Sequence, residues 1–185
     1  MNTVVTSREA ILRICRKMVA EQGLSALNMR AVAQQCNVAL GSLYNYFPSK
    51  SELLLATIES VWQDIFHLER PCEAQLTFLE DVKRIFCSLN EGMVAYPNFL
   101  TAHSIGFAGG DRGHARHTME HYFLHMKHGL LKTLKQDTSV RQDAFTETFT
   151  PEALVDFILS ALLSLLVQRA SSCDLLLEML RRTLY

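Results

Sequence analysis

Apolar residues recur at intervals of three and four along almost the whole chain, and this helical spacing is the strongest constraint on its fold. The first segment of this kind has one apolar stripe: Ile11, Ile14, Cys15, Met18 and Val19. A capping box of Thr6 and Glu9 is predicted to begin this helix, and Gly23 to end it. No segment shows the sustained alternation of apolar and polar residues that is typical of a β-strand. The sequence therefore predicts an all-α protein of about nine helices.

Charge is unevenly distributed between the first fifty residues and the rest of the chain. The first fifty residues contain six Lys or Arg and two Glu, so their formal charge is 6 − 2 = +4. Since the whole chain has a net charge of −1, the remainder carries −1 − 4 = −5. No Asp or Glu lies between Glu21 and Glu52. A basic segment of this kind suits a polyanion such as nucleic acid, although so few charges also cluster by chance.

Composition excludes several other classes of protein. Hydrophobic residues make up 49% of the chain, which is enough for a sizeable core and argues against disorder. Five cysteines without C-x-x-C spacing argue against a disulfide framework. The longest apolar run, residues 157–167, is too short to cross a bilayer, and no secretory pattern precedes the first helix. We therefore expect a cytoplasmic protein.

Two short helices joined by a tight turn are predicted between Asn28 and Pro48, after the longer first helix. This is the plan of a helix-turn-helix, whose second short helix enters the major groove of DNA. Gly41 within that helix costs about 1 kcal/mol relative to alanine, and close approach of the backbone to DNA would compensate for this. Ser42 and Asn45 are uncharged donors of the kind that contact phosphates and base edges.

The segment LNMRAVAQQCNVALGSLYNYFPSKSELL resembles the DNA-binding signature of TetR/AcrR-type transcriptional regulators. The resemblance covers about residues 8–55, and three positions depart from it. Asn37 replaces the usual glycine, Ala39 a capping serine, and Leu40 a polar or basic residue. Leu40 suggests an apolar contact, for example to a thymine methyl group. The resemblance implies that the following residues contact double-stranded DNA: Asn28, Arg30, Leu40, Gly41, Ser42, Tyr44, Asn45, Tyr46 and Lys50.

The resemblance also implies an organisation and a set of partners. Residues 1–48 are expected to be the DNA-binding domain, and residues 49–185 the effector-binding and dimerisation domain. A homodimer implies a palindromic operator, which a small apolar effector would release by a shift in population between two states. The sequence does not identify the effector or the direction of its effect.

Candidate residues for the effector pocket and the dimer interface lie in the longer helices. For each residue taken singly, plain core is the favoured interpretation; the expected pocket residues are Trp62, Phe66, Phe86, His103, Phe107, Tyr122 and Met126. The helix after Pro151 is apolar nearly all round, so that one side can pack internally and the other on a partner. The expected interface residues of this helix and the last one are Phe157, Ala161, Leu165, Leu176 and Leu180.

Five histidines at spacings of 3, 4, 4 and 3 form what we call the histidine stripe: His114, His117, His121, His125 and His128. Residues 117–121 match H-x-x-E-H, an inverted zinc-peptidase motif. The competing interpretation is therefore a zinc hydrolase or a metal-binding protein that uses His117, His121 and His125. On an ideal helix, however, the stripe lies about 160° from the apolar stripe of the same segment, on a wet face without a closed pocket.

A solvated helix face is the simplest interpretation of the stripe, and an exposed metal site or a pH sensor is the alternative. We accordingly predict a transcriptional regulator that is not an enzyme and needs no cofactor.

Overall fold

The computed structural model describes residues 7–66, 76–97, 99 and 112–185, without the side chains of residues 112–122. These ranges contain a 3₁₀ turn at Leu24–Ala26 and eight α-helices. The helices are α1 (Arg8–Gln22), α2 (Met29–Gln35), α3 (Leu40–Tyr46), α4 (Lys50–Phe66), α5 (Phe78–Ala95), α6 (Arg112–Gln136), α7 (Pro151–Val167) and α8 (Asp174–Leu184). Within the described ranges there is no strand, so the all-α prediction is confirmed. None of the described helices has both the length and the apolar character needed to cross a membrane.

The chain divides into two compact units. The first contains α1 to α4 together with α5 from Gly92 onwards and α6 as far as Met119. The second contains the remainder of α5 and α6 with all of α7 and α8. The expected functional boundary after residue 48 stays a prediction.

Side-chain caps begin several of the helices. Ser7 rather than Thr6 is the N-cap of α1, since its Oγ accepts a hydrogen bond of 3.1 Å from the backbone N–H of Ala10. Ser49 accepts from the N–H of Glu52 in the same way, at 3.1 Å. Thr150 caps α7 through the N–H of Ala153, also at 3.1 Å. Polar residues before an apolar stripe therefore indicated where helices begin, and the predicted N-cap of α1 was wrong by one residue.

The turn between α2 and α3 explains why asparagine can replace the usual glycine. Asn37 has a φ of 54°, in the left-handed region that asparagine tolerates better than most residues. The N–H of Asn37 donates to the carbonyl of Gln34, and that of Val38 to the carbonyl of Ala33, each at 3.0 Å. These bonds close α2 and redirect the chain into α3.

In the first unit, the second half of α4 contacts both α1 and α5. Arg16 of α1 donates a short hydrogen bond to the hydroxyl of Ser60. The hydroxyl of Tyr96 donates to Asp64 at 2.6 Å, and burial together with this bond raises the pKa of Tyr96. Nearby, a Cβ placed on Gly92 would lie only 2.7 Å from a side-chain carbon of Ile65. A larger residue at position 92 would therefore force the Ile65 side chain to shift where α5 approaches α4.

In the second unit, Asp137 joins segments that are far apart in sequence. Its carboxylate accepts hydrogen bonds from the N–H of Phe78 at 2.9 Å, the hydroxyl of Tyr185 at 2.6 Å and the N–H of Ser139 at 3.0 Å. Burial raises the pKa of Asp137, but these bonds outweigh burial and leave the pKa below its usual value. The start of α5, the end of α6 and the end of α8 thus meet at one carboxylate.

Candidate nucleic-acid interface

Helix α3 is anchored by one face and exposes the other. Leu43 and Phe47 are 0 and 1% exposed, so they fix the helix to the core of the first unit. The rings of Tyr44 and Tyr46 are exposed by 45 and 37%, and Asn45 is exposed between them. The remaining residues of this surface that we predicted to contact DNA are Leu40 and Ser42, both half-buried, and Gly41, which is exposed.

The described part of the chain offers no structural explanation for Gly41. A Cβ added to it would meet no atom of the described residues within 4 Å. Its φ is not positive, since Gly23 alone has a positive φ among the described glycines. Because glycine weakens a helix, a glycine in an open helical position suggests that something outside the chain needs the space.

Asn28 and Arg30 lie at the start of α2. The Asn28 carbonyl oxygen accepts from the N–H of Ala31 at 2.9 Å, and its amide donates to the carbonyl of Ala26 at 3.3 Å. An amide group has two N–H donors, so one stays available for a phosphate. Arg30 is exposed, as is Lys50 at the start of α4.

Ion pairing leaves the first fifty residues with exposed positive charge. Their two carboxylates are both occupied: Glu9 lies 3.3 Å from Arg16, and Glu21 lies 3.8 Å from Lys17. Among the described residues, no carboxylate pairs with the other four cations, Arg8, Arg13, Arg30 and Lys50. The guanidinium of Arg8 lies 5.2 Å above the ring of Phe47, a cation–π contact that positions it beside α3. The result is a basic surface suited to a phosphate backbone.

Sequence reasoning did not identify the contact between Arg16 and Ser60. Arg16 bonds to both Glu9 and Ser60, and Ser60 is 1% exposed. The contact connects α1, which supports the helix-turn-helix, to α4. A serine among the mostly apolar residues of the buried face of α4 was the available signal, but its partner is 44 residues away in sequence.

Of the expected pocket residues, the structure brings Trp62 and Phe66 together. Their rings are stacked with centroids 5.8 Å apart, and the ring of Phe99 lies edge-on to Trp62 at 5.6 Å. Phe86 and Met126 are buried in the second unit. His103 and Phe107 lie outside the described residues, as does the side chain of Tyr122.

A surface groove of about 450 Å³ in the second unit contains none of the expected pocket residues. It is lined by Leu79, Glu80, Lys83, Asp174, Leu177, Glu178 and Arg181. Five of these seven side chains are charged, so the groove does not suit an apolar effector.

The expected dimer residues divide into exposed and buried groups. Phe157 is 57% exposed, and Ala161 and Leu165 are half-buried. Leu176 and Leu180 are only 6 and 3% exposed within the protomer, and their part in an interface stays a prediction. These two side chains lie on the inner face of α8, and Leu175 and Met179 lie on its exposed face. The large exposed apolar side chains of α7 and α8 are Phe157, Leu163, Val167, Leu175 and Met179.

The histidine stripe is described only in part. His125 and His128 are exposed, whereas Met126 and Leu130 of the same helix are 6 and 0% exposed. The side chains of His114, His117 and His121 lie outside the described residues. Among the side chains that are described, no three His, Cys, Asp or Glu form a group that could hold a metal ion.

Comparison with known proteins gives consistent similarities. Residues 11–57 match the family model for bacterial regulatory proteins of the tetR family. The chain is 28% identical over 174 residues to the HTH-type transcriptional repressor KstR of Mycolicibacterium smegmatis, covering 90% of this chain and 80% of that protein. Its fold resembles that of a TetR-family regulator from Rhodococcus sp., with a TM-score of 0.65, 16% identity and coverage of 96 and 98%. It also resembles FadR of Bacillus subtilis, solved in complex with stearoyl-CoA, with a TM-score of 0.59, 17% identity and coverage of 97 and 100%.

Proposed function

Because the chain belongs to the TetR family of bacterial transcriptional regulators, we propose that it is a homodimeric repressor that binds a palindromic operator and releases it when a small apolar molecule binds. The observation that carries the proposal is the outer face of α3. That face combines an open glycine, Gly41, with exposed Tyr44 and Asn45, while Leu43 fixes the helix from behind.

The residues around α3 divide into base-reading and backbone-contacting groups. Leu40, Gly41, Ser42 and Asn45 would face the base edges in the major groove, with Leu40 suited to a thymine methyl group. The backbone-contacting group would consist of Asn28, Arg30, Tyr44, Tyr46 and Lys50. Contacts of the first group specify sequence, whereas those of the second fix register and contribute salt-dependent affinity.

Selection of bound duplexes from random DNA, at two salt concentrations, tests the proposed DNA binding. We expect recovery of a palindrome and an affinity that falls as salt rises. Lys50→Ala should weaken all sequences equally and reduce the salt slope by about one, while Leu40→Ala should change the preferred base at one position. Lys132→Ala, an exposed cation on α6, is the control and should do neither. No enriched sequence, or binding that is indifferent to salt, would refute operator recognition.

Dimerisation is proposed through the exposed apolar side chains of α7 and α8. Four of them are each more than half exposed, which is unusual for large apolar residues: Phe157, Val167, Leu175 and Met179. A two-fold axis would bring the same patch of each protomer together and bury it. Light scattering after gel filtration should show a dimer, and Phe157→Asp or Met179→Asp should shift it towards monomer. Val94→Asp, at an 80% exposed position of α5, is the matched control and should leave the dimer intact.

The effector is proposed to act at the aromatic cluster of Trp62, Phe66 and Phe99. Apolar rings at this site favour an apolar ligand, and the complex of the FadR neighbour with stearoyl-CoA offers a first probe. Trp62 is the sole tryptophan of the chain and is fully buried, so its fluorescence reports directly on the cluster.

Fluorescence and operator release should follow the same ligand titration. We expect an apolar effector to change the emission of Trp62 and to release the selected operator over one concentration range. Trp62→Phe keeps an aromatic ring, so it should lose the signal while the ligand still releases DNA. Release of DNA by a ligand that leaves the Trp62 emission unchanged would place the effector elsewhere.

A further inference from the structure

Arg8, in the first turn of α1, is an exposed cation to which the proposed function assigns no role. Its guanidinium lies 5.2 Å above the ring of Phe47, the residue that follows α3. Phe47 is only 1% exposed, so its ring is fixed in the core of the first unit while Arg8 stays at the surface. Contact with the ring restricts a long side chain that would otherwise sample many rotamers. The positive charge of Arg8 is therefore held next to the end of α3.

Within the described part of the chain, no negative charge neutralises Arg8. Glu9, the carboxylate nearest to it in sequence, lies 3.3 Å from Arg16 instead. No other carboxylate of the described residues forms an ion pair with Arg8. A guanidinium carries five N–H donors, and no described residue accepts a hydrogen bond from those of Arg8. These donors are free to bind an external acceptor.

The position of Arg8 in its helix is unfavourable for a cation as far as the fold is concerned. The N-terminus of a helix carries a partial positive charge, which favours acidic side chains in the first turn. Glu9 satisfies this preference, whereas Arg8 opposes it. A negatively charged partner outside the chain would offset the repulsion. Phosphate is such a partner, since one arginine can bind two of its oxygens at once.

The end of α3 also carries two of the residues that we propose to contact the DNA backbone. Tyr46 is the last residue of α3 and is 37% exposed, and Lys50, which begins α4, is also exposed. Phe47 lies between these two in sequence, so its ring brings Arg8 to the same end of α3. Phosphates of one DNA strand repeat at about 3.4 Å along the helix axis, so neighbouring side chains can bind successive phosphates.

We propose that Arg8 is a further backbone-contacting residue, whose guanidinium binds one phosphate of the operator, and that Phe47 is its positioning residue. The inference rests on the proposed DNA binding and adds to it a contact from α1, a helix in which the sequence predicted none. Phosphate contacts carry no sequence information directly, so Arg8 contributes to affinity and to salt dependence but not to sequence preference.

Fluorescence anisotropy with the selected operator and with an unrelated duplex, at several salt concentrations, tests the proposal. We expect Arg8→Gln to weaken binding of both duplexes about tenfold at low salt and to reduce the salt slope by about one. Lys17→Gln is the matched control, since it removes one positive charge from the same helix where Glu21 lies 3.8 Å away. The control should weaken binding less than about twofold. Equal weakening in the two variants would overturn the proposal, because it would show a general effect of charge.

A double-mutant cycle tests the part played by Phe47. Phe47→Leu keeps an apolar side chain in the core but removes the ring beneath the guanidinium. In this background, Arg8→Gln should weaken binding less than about threefold, because an unrestrained arginine contributes less. Arg8→Lys keeps the charge but loses the planar guanidinium, so it should retain the salt slope and recover only part of the affinity. An equal loss with and without the ring would overturn the positioning role.

Two outcomes separate this inference from the proposed function. If the unmodified protein binds no duplex, operator recognition is refuted and the contact from Arg8 with it. If the unmodified protein binds and Lys50→Ala reduces the salt slope, but Arg8→Gln lowers only the unfolding temperature, then Arg8 serves the fold alone. That second outcome overturns the inference and leaves the proposed function standing.

Discussion

Replacement of Gly41 by alanine should have opposite effects on folding and on DNA binding. A Cβ at this position meets no atom within 4 Å among the residues that the structure describes, and the backbone does not have a positive φ. Alanine should therefore gain its full helix propensity, about 1 kcal/mol over glycine. For a chain of this size, that gain corresponds to a rise of about 2–4 °C in unfolding temperature.

The same methyl group should weaken operator binding if the backbone of α3 lies against DNA. Loss of a close contact of about 1–3 kcal/mol corresponds to a loss of roughly 5- to 150-fold in affinity. Fluorescence anisotropy with the selected operator measures the affinity, and thermal unfolding monitored by circular dichroism measures the stability. Both are needed, because a misfolded variant would lose binding and stability together.

Gly129→Ala is the matched control for Gly41→Ala. Gly129 also lies inside a helix and is exposed, and no atom in the described ranges would lie within 4 Å of a Cβ added to it. It should gain similar stability and bind the operator as the unmodified protein does. Unchanged or tighter operator binding by Gly41→Ala would refute the idea that DNA needs this space. A fall in its unfolding temperature would show that the glycine serves the fold.

Substitutions at three internal contacts provide further tests. Asp137→Asn should lower the free energy of unfolding at pH 7 by about 2 kcal/mol. Because the pKa of Asp137 is depressed in the native state, the carboxylate stabilises the fold above pH 4 and loses this effect as pH falls further. Urea unfolding should therefore show the difference in stability between the two proteins shrinking towards pH 3. Gly92→Ala should cost about 1–3 kcal/mol by crowding Ile65, and adding Ile65→Ala should recover part of the crowding cost in a double-mutant cycle. Arg16→Gln and Ser60→Ala should each lower the unfolding temperature, and their combination should cost less than the sum.

Local sequence patterns predicted the helices well because the interactions that begin and end a helix are themselves local. Caps such as Asn28 and Thr150 and the stop at Pro48 act within a few residues, so the sequence was sufficient to locate α2, α3 and α7. The DNA-contacting residues could be listed because the resemblance covers one continuous segment. Their individual contacts with DNA remain predictions.

Contacts between distant segments could not be predicted in this way. The bond between Asp137 and Tyr185 joins residues 48 apart, and nothing in the spacing of either residue indicates the other. The same reason applies to the predicted dimer residues of α8. The pattern of α8 showed that Leu176 and Leu180 share a stripe, but it did not show whether that stripe faces the protomer or a partner.

The arrangement around α4 limits how an effector could signal. Trp62, at the centre of the aromatic cluster, lies between Ser60, which holds α1, and Asp64 and Ile65, which hold α5. One and a half helical turns thus contain both the proposed sensor and the attachments of two other helices. A ligand that rotates or shifts this part of α4 must strain or break at least one attachment. Effector potency should therefore depend on how strongly those attachments resist displacement as well as on affinity for the aromatic rings.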